Sequence, residues 1–529
     1  MTTHTPLKGS VSYDEMPYTS YPFADTHPSR LAAIAQTFGL NPPALENARI
    51  LELGCASGGN LTPLALYYPN MQLVGVDYSS VQVNEGIESI KKLGLKNVEL
   101  KHMSIADITP ELGLFDYIIC HGVYSWIPKE VQDAILRVCN ENLVKNGVAY
   151  VSYNVYPGWK THEIARDAML FHTRNISNPT EQVAHGRGMI QYMHEMSAEG
   201  SMFRQIMNHE SALIQNAAPY YISHEFFETH NAPCYFNEFN SHAEAHGLTY
   251  LGDTYIGSMF VETLGDEHRQ RLINVSEGQQ VVLEQYLDFI SNRTFRQTLL
   301  VKKEMGRSIK RTINKEYLKK LSYQCQATRI ENTPDLPATA HKYETPQKRH
   351  AIVYSATQKS ALQILSAHYP NPLSYDTLKS EIKAQTKNDF IEDELLNMLE
   401  RLLIVAFISP WNSAFSTQYL GLSAPTPTHP YIDQKVRQHA LATGHLTSHM
   451  HLHTPLNPVL NLLLPLLDGK HSIDQLVDAL ATAAQSNQIN FQRQSTQEII
   501  TDPSEIQKEA RSHTQNHIEL LKNLGYLIQ

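Results

Sequence analysis

At 529 residues the chain is too long for one ordinary core and is expected to divide into about three or four domains. With 42% hydrophobic and 18% charged residues it has a globular composition, and a net charge of −10 argues against a chain built mainly to grip nucleic acid phosphates. Its five cysteines, Cys55, Cys120, Cys139, Cys234 and Cys325, are far apart and lack any Cys-x-x-Cys spacing, which suits free thiols in a reducing compartment.

Residues 1–47 read as an N-terminal arm and cap: Tyr13, Tyr18, Tyr21 and Phe23 precede Thr26-His27-Pro28, then Arg30 to Phe38 has the pattern of a short amphipathic helix. Such an aromatic arm packs either over a ligand or on a sheet edge. The opening Met-Thr-Thr-His-Thr-Pro has neither a basic nor an apolar leader region, and no apolar run reaches the ~18 residues of a membrane span, so a cytoplasmic location is expected.

Strands and helices then alternate as a doubly wound sheet requires, in a core over 48–157. Strands are predicted at Arg49–Leu53, Gln72–Asp77, Val98–His102, Phe115–His121 and Val148–Tyr153, with helices from Asn60, after Ser79 or Ser80, and from Pro128. Residues 158–230 read as a helical lid inserted after the fifth strand. Residues 231–305 return to the core, with a helix from Tyr235 and strands at Gly247–Asp253 and Phe295–Lys302. A basic segment and linker are expected at 306–348, marked by Lys302 to Lys320 and by Pro334, Pro337 and Pro346. Two winged-helix-like domains follow, at 349–425 and 426–529. Neither has an obviously basic recognition helix, since Asp376 and Glu381 offset Lys379 and Lys383, so protein docking is favoured over nucleic acid.

The chemistry concentrates at Leu51-Glu-Leu-Gly-Cys-Ala-Ser-Gly-Gly-Asn60. Gly54, Ser57, Gly58 and Gly59 let backbone N–H groups approach a ligand at a helix N-terminus, which fits a phosphate or a carboxylate, and Ala56 is counted with Gly54, Ser57 and Gly58 among the expected cofactor contacts. Glu52 would repel a pyrophosphate and attract an α-ammonium. The loop has no Gly-Lys-Ser/Thr ending, which excludes a P-loop, and departs from Gly-x-Gly-x-x-Gly. This points to S-adenosyl-L-methionine, with S-adenosyl-L-homocysteine as product. Asp77, ending the second strand, is placed for the ribose hydroxyls, with Tyr78 beside it. In Met103-Ser-Ile-Ala-Asp107, Asp107 is placed for the adenine amino group and Ile105 for the ring, with Ser104 at the turn. The loop His121-Gly122-Val-Tyr124-Ser-Trp126 would pass beneath the sulfonium.

Together these segments resemble a known family, the class I S-adenosylmethionine-dependent methyltransferases with a methyltransferase regulatory domain, and most of all the rickettsial-type protein-lysine methyltransferases acting on outer membrane protein B. Tyr13-Asp-Glu-Met-Pro-Tyr18, Thr26-His-Pro-Ser-Arg30, Ser152-Tyr-Asn-Val-Tyr-Pro-Gly-Trp159, Tyr221-Ile-Ser-His-Glu225 and Tyr235-Phe-Asn-Glu-Phe239 carry the likeness beside the glycine loop and the His121 loop. It implies a Rossmann-like α/β fold, a seven-stranded mostly parallel sheet, with cofactor contacts from Glu52, Gly54, Asn60, Asp77, Asp107 and His121. It also implies C-terminal domains that engage a protein substrate, such as an outer membrane protein before export; a homodimer is allowed for. Ala56 stands where the family usually has glycine, and alanine still allows close approach there if its φ is negative.

A lysine acceptor must lose a proton, and an apolar aromatic channel favours that loss. Tyr124, Trp126, Tyr153, Tyr156, Trp159 and Tyr221 are candidates to line it, with His224 and Glu225 to hold the amine or pass its proton on. A small-molecule methyltransferase and a non-catalytic adaptor are the alternatives. His445, His449, His451 and His453 cluster without a completing Cys or acid; they are expected on a solvated strand or loop, and no metal is predicted.

Overall fold

Short apolar strands separated by amphipathic helices can bury both faces of one sheet, and the chain folds that way. The computed structural model describes residues 20–262, 264–331, 333, 335–412, 424–493 and 498–528. Tyr13, Tyr18 and Pro334 lie outside these. Strands β1 (Arg49–Leu53), β2 (Gln72–Asp77), β3 (Val98–His102), β4 (Phe115–Cys120), β5 (Leu143–Asn154), β6 (Leu248–Asp253) and β7 (Phe295–Lys302) form one sheet in the order β3-β2-β1-β4-β5-β7-β6. All pairs are parallel except those of β7, which runs antiparallel between β5 and β6.

The strand order reverses between β1, which pairs Arg49 with Gln72 of β2, and β4, which pairs Tyr117 with Ile50. A crevice opens beyond the carboxyl ends of strands at such a switch point. Ile34, Phe38, Leu64 and Val83 fill one face of the sheet; Leu51, Ile118, Ile135 and Val138 fill the other. Ser79 starts the helix Ser80–Leu93 by accepting a hydrogen bond from the Gln82 N–H at 3.3 Å, and Gly94 ends it in the left-handed conformation.

Between β5 and the helix Phe236–Ala245 stand the lid helices Trp159–Thr173, Pro179–Met196, Met202–Asn216 and Pro219–Phe226. They bury a small core of their own, including Met169, Ile190, Ile214 and Phe226. The rigid sheet thus supplies one wall of the crevice and the lid the other.

The segment expected as linker is folded. Strands Thr328–Ile330, His341–Glu344 and His350–Val353 form an antiparallel sheet, with Pro337 and Pro346 in its turns. Strand Ser322–Gln324 is the centre of another, between Leu373–Ser374 and Ser409–Trp411. The module expected from 349 therefore takes its central strand from upstream. These strands are two to four residues long, too short for an apolar alternation to mark them in sequence. Helices Ala356–His368, Tyr375–Thr386 and Glu392–Ile404 complete that module, in which Lys379 is paired with Glu392 at 2.8 Å. A second module carries helices Gln434–Thr443, Ile473–Gln485 and Pro503–Asn523 and the hairpin His445–Thr447/His453–Pro455. No helix among the described residues is long and apolar enough to cross a membrane.

The histidine cluster is not solvated as expected: His449 and His451 are each 2% exposed. They lie where the sheet domain and both C-terminal modules meet. His27 packs edge-on against Trp411 and His451, and Tyr67 and Tyr68 donate hydrogen bonds to the Thr447 and His449 carbonyls at 2.7 and 3.1 Å. Burial disfavours their charged forms, lowering His449 to about 3 and His451 to about 4 and holding His27 well below its ordinary value.

Candidate active site

The crevice holds a cavity of about 590 Å³ lined by the ends of β1, β2 and β4, the arm Ser20–Phe23, and the lid. At its floor the sharp turn after β1 needs Gly54, whose φ is +78° and where a Cβ would lie 2.4 Å from Val123. The Gly54 N–H donates to the Val76 carbonyl at 2.8 Å, tying the loop to β2. The Asp77 carboxylate closes it from the other side, accepting from the Ala56 N–H at 2.8 Å and the Ser79 N–H at 2.9 Å. Ala56 itself has φ +48°, so the condition of a negative φ is not met. The Asp77 bond to its N–H holds it in a region that an alanine otherwise avoids.

Glu52 reaches the cavity but is only 4% exposed. One carboxyl oxygen accepts from Asn60 Nδ2 at 2.9 Å; the other is buried with no hydrogen-bond partner among the described residues. Burial, with Asp77 nearby, pushes its carboxyl up to about 8. An orphaned, desolvated acid facing a cavity is completed by a cation, and the α-ammonium of an amino acid fits that need.

Asn60 also accepts from the Phe23 N–H and the Thr26 hydroxyl, both at 3.1 Å, so its amide joins the arm to the loop. Ser20 Oγ accepts from the Gly59 N–H at 2.8 Å; a Cβ at Gly59 would come within 2.3 Å of the Ser20 carbonyl. Glycine lets the arm cross here. Tyr21 bonds through its hydroxyl to Tyr220 of the lid, and its ring stacks on His453 at 5.2 Å. Phe23 packs 4.0 Å from the His121 ring, making this aromatic arm a wall of the cavity.

His121 is held by Tyr150 Oη at 2.8 Å and Ser152 Oγ at 3.2 Å, and burial lowers it to about 4, so it is neutral. Gly122, Tyr78, Ser104 and Ile105 also line the cavity. Asp107 does not. Ser104 Oγ accepts from the Ala106 N–H at 3.2 Å, and this 3-10 turn brings Ile105 in while leaving Asp107 exposed. Ser57 and Gly58 shape the loop without lining the cavity.

On the lid side Trp126, Trp159, Tyr221, His224 and Glu225 face the same cavity, Trp126 and Trp159 packing edge to face at 5.9 Å. Burial pushes the Glu225 carboxyl up to about 7 against the opposing charges of His162 and Arg166. His224 Nδ1 lies 2.8 Å from Glu228. Tyr124 and Tyr153, expected in this channel, point to the far side of the loop. Tyr153 stacks on Phe239 at 3.9 Å and bonds Thr298, while the Tyr124 hydroxyl lies 2.6 Å from His242. Alternation along β5 sends Tyr153 into the core, because its neighbour Asn154 faces the cavity. Tyr156 too is turned away, its hydroxyl 2.5 Å from Glu163. Sequence reading passed over His162, Glu228 and Phe295, which line the cavity from segments without any recognisable motif.

Comparison with known proteins places this geometry. Residues 44–217 match a family described as methyltransferase domain, 218–302 a predicted methyltransferase regulatory domain, and 429–526 the PKMT C-terminal winged helix domain. The chain belongs to this methyltransferase family. It is 35% identical over 512 residues to an uncharacterized protein of Rickettsia prowazekii, covering 94% of this chain and 90% of that one. A second from that organism is 41% identical over 236 residues, covering 44% of this chain and 94% of the relative. The structure of PKMT2 from Rickettsia typhi in complex with AdoHcy superposes with a TM-score of 0.85 at 28% identity, over 97% of this chain and all of that one. The protein is an S-adenosylmethionine-dependent methyltransferase with a Rossmann-like core and a C-terminal winged helix.

Proposed function

We propose that the protein transfers methyl groups from S-adenosylmethionine to lysine side chains of a protein substrate. The observation that carries this reading is the lid side of the cavity, which Trp126, Trp159 and Tyr221 line together with a half-buried Glu225 whose carboxyl is raised to about 7. Aromatic faces suit a lysine stem and its methylated ammonium, and a desolvated carboxyl gives the amine an anchor. The similarity to PKMT2 points the same way.

When bound, S-adenosylmethionine supplies an electrophilic methyl group on a sulfonium. Glu52 would hold its α-ammonium, Asp77 its ribose, and Tyr78, Ser104 and Ile105 its adenine, while Gly54 and Gly122, whose own N–H groups bond Val76 and Ser152, leave room for its aminoacyl end. His121, neutral and fixed, adds no charge that would repel the sulfonium. Phe23 and the lid exclude water, and Tyr221 and Glu225 align the amine. A substrate of the outer-membrane class, methylated in the cytoplasm before export, is consistent with the resemblance and with cysteines that form no disulfide among the described residues. A purely structural adaptor would have no need of the orphaned Glu52 oxygen.

The test is to incubate the protein with methyl-labelled S-adenosylmethionine and envelope lysate. Label is expected on lysine side chains of protein; label confined to small molecules sinks the reading.

A further inference from the structure

The lid holds a second polar device beside Glu225. His162, on the helix Trp159–Thr173, lines the cavity, and its Nδ1 lies 2.9 Å from Oε2 of Glu210 on the helix Met202–Asn216. The Glu210 side chain is wholly buried, and its other oxygen has no hydrogen-bond partner among the described residues. A carboxylate only accepts, so it fixes the proton on Nδ1 and leaves the lone pair on Nε2. The Nε2 atom makes no hydrogen bond among the described residues. A carboxylate that orients an imidazole toward a cavity is the arrangement of a general base.

The neighbouring charges are committed elsewhere. On the same helix, Glu163 receives the Tyr156 hydroxyl, and Arg166 donates to the Phe226 carbonyl at 2.6 Å and to that of Glu228. His224 and Glu228 hold one another at 2.8 Å. His209 lies beside Glu210, its ring 6.2 Å from that of His162, and His230 lines the cavity beyond Glu228. Glu225, from the helix Pro219–Phe226, faces the cavity near enough to feel the His162 charge.

We propose that His162, oriented by Glu210, accepts the proton that the acceptor amine must lose before methylation. This rests on the lysine reading above. One ammonium N–H bond breaks and an Nε2–H bond forms; the electron pair stays on the amine nitrogen as the nucleophile's lone pair. The imidazolium so formed is stabilised by Glu210 and returns its proton to water. Glu225 holds the amine while His162 takes its proton, and no other reactant is needed.

Purified full-length protein, S-adenosylmethionine and an unfolded outer-membrane protein provide the assay. His162→Ala is expected to lower kcat by about 100-fold near pH 7.5, in the range general bases contribute, with cofactor Kd within about twofold of wild type. Added imidazole is expected to restore activity in His162→Ala but not in Glu225→Gln. Without its base the variant depends on spontaneous ionisation, so its rate rises about tenfold per pH unit toward the lysine range near 10. Glu210→Gln, which frees the tautomer, is expected to lower kcat about tenfold with KM little changed. His162→Ala that keeps kcat within about threefold, or shares the wild-type pH profile and ignores imidazole, overturns the assignment. Should that variant fail to fold, a Glu210→Gln enzyme of unchanged kcat and pH profile does the same. Wild-type protein that labels no lysine at any pH overturns the lysine reading itself, and is distinguishable because it needs no variant.

Discussion

The two halves of the cavity are made differently. The cofactor half grows from strand ends of one rigid sheet, where Glu52, Gly54, Asp77 and Gly122 are fixed by backbone hydrogen bonds and a switch point. The lid half comes from four helices with a small separate core, and its polar groups are fixed by side-chain pairs such as His162 with Glu210. Geometry inherited from a sheet can be read from local sequence; geometry assembled from distant helices cannot. The donor's site is accordingly the more constrained half, and the acceptor's the more adaptable.

This contrast can be broken by substitution. Asp77→Ala removes two hydrogen bonds to loop N–H groups as well as the proposed ribose contact. It is expected to weaken cofactor binding by roughly 10–150-fold, as loss of a charged hydrogen bond of ~1.5–3 kcal/mol implies, measured by calorimetry. Glu225→Gln and Tyr221→Phe are expected to lower kcat by about tenfold or more while cofactor Kd stays within about twofold; equal damage to Kd would erase the division between the halves.

Glu52 offers a pH test. With its free-site carboxyl at about 8 it is largely protonated at pH 7, and an α-ammonium beside it favours ionisation. Binding of S-adenosylhomocysteine at pH 7 is expected to release up to about one proton, seen as a calorimetric heat that varies with buffer ionisation enthalpy. Zero proton exchange would place the ammonium elsewhere.

The buried histidines at the domain junction test a third region. Their folded values, about 3 for His449 and about 4 for His451, lie below the unfolded value, so the unfolded chain binds protons first as pH falls. Stability is therefore full above about pH 6.5 and declines progressively down to about pH 3, where His449 too is protonated in the folded state. The melting temperature of wild type is expected to drop over that window, and that of His451→Gln to drop less. The smallest effect is at Ala56, where glycine relieves a left-handed alanine: Ala56→Gly is expected to stabilise by about 1 kcal/mol.

What the sequence made legible follows the same division. Five strands of the sheet were legible in the alternation of strand and helix and the last two through the family resemblance, while Glu52, Asp77 and Ile105, read from their places near or just after strand ends, line the cavity. Asp107 misled because a 3-10 turn reverses direction within three residues, and a spacing rule cannot tell which side of it faces in. Tyr124 and Tyr153 misled because an aromatic residue near a site serves equally well in the core behind it. His162 and Glu210 are 48 residues apart, and only the packing of the lid helices brings them together. The short strands of the expected linker carry no period at all. In the histidine cluster, the solvated strand or loop expected holds for His445 and His453 alone, while His449 and His451 turn into a joint.

The arm at Ser20 to Phe23 joins three parts of the molecule. It touches the glycine loop through Gly59 and Asn60, the lid through Tyr220, and the C-terminal hairpin through the stacking of Tyr21 on His453. One four-residue segment is thus a shared wall, and a substitution in it disturbs the donor site, the lid and the hairpin at once. Were loosening the hairpin to change donor affinity, linkage would require donor binding to change the hold on the hairpin by the same factor.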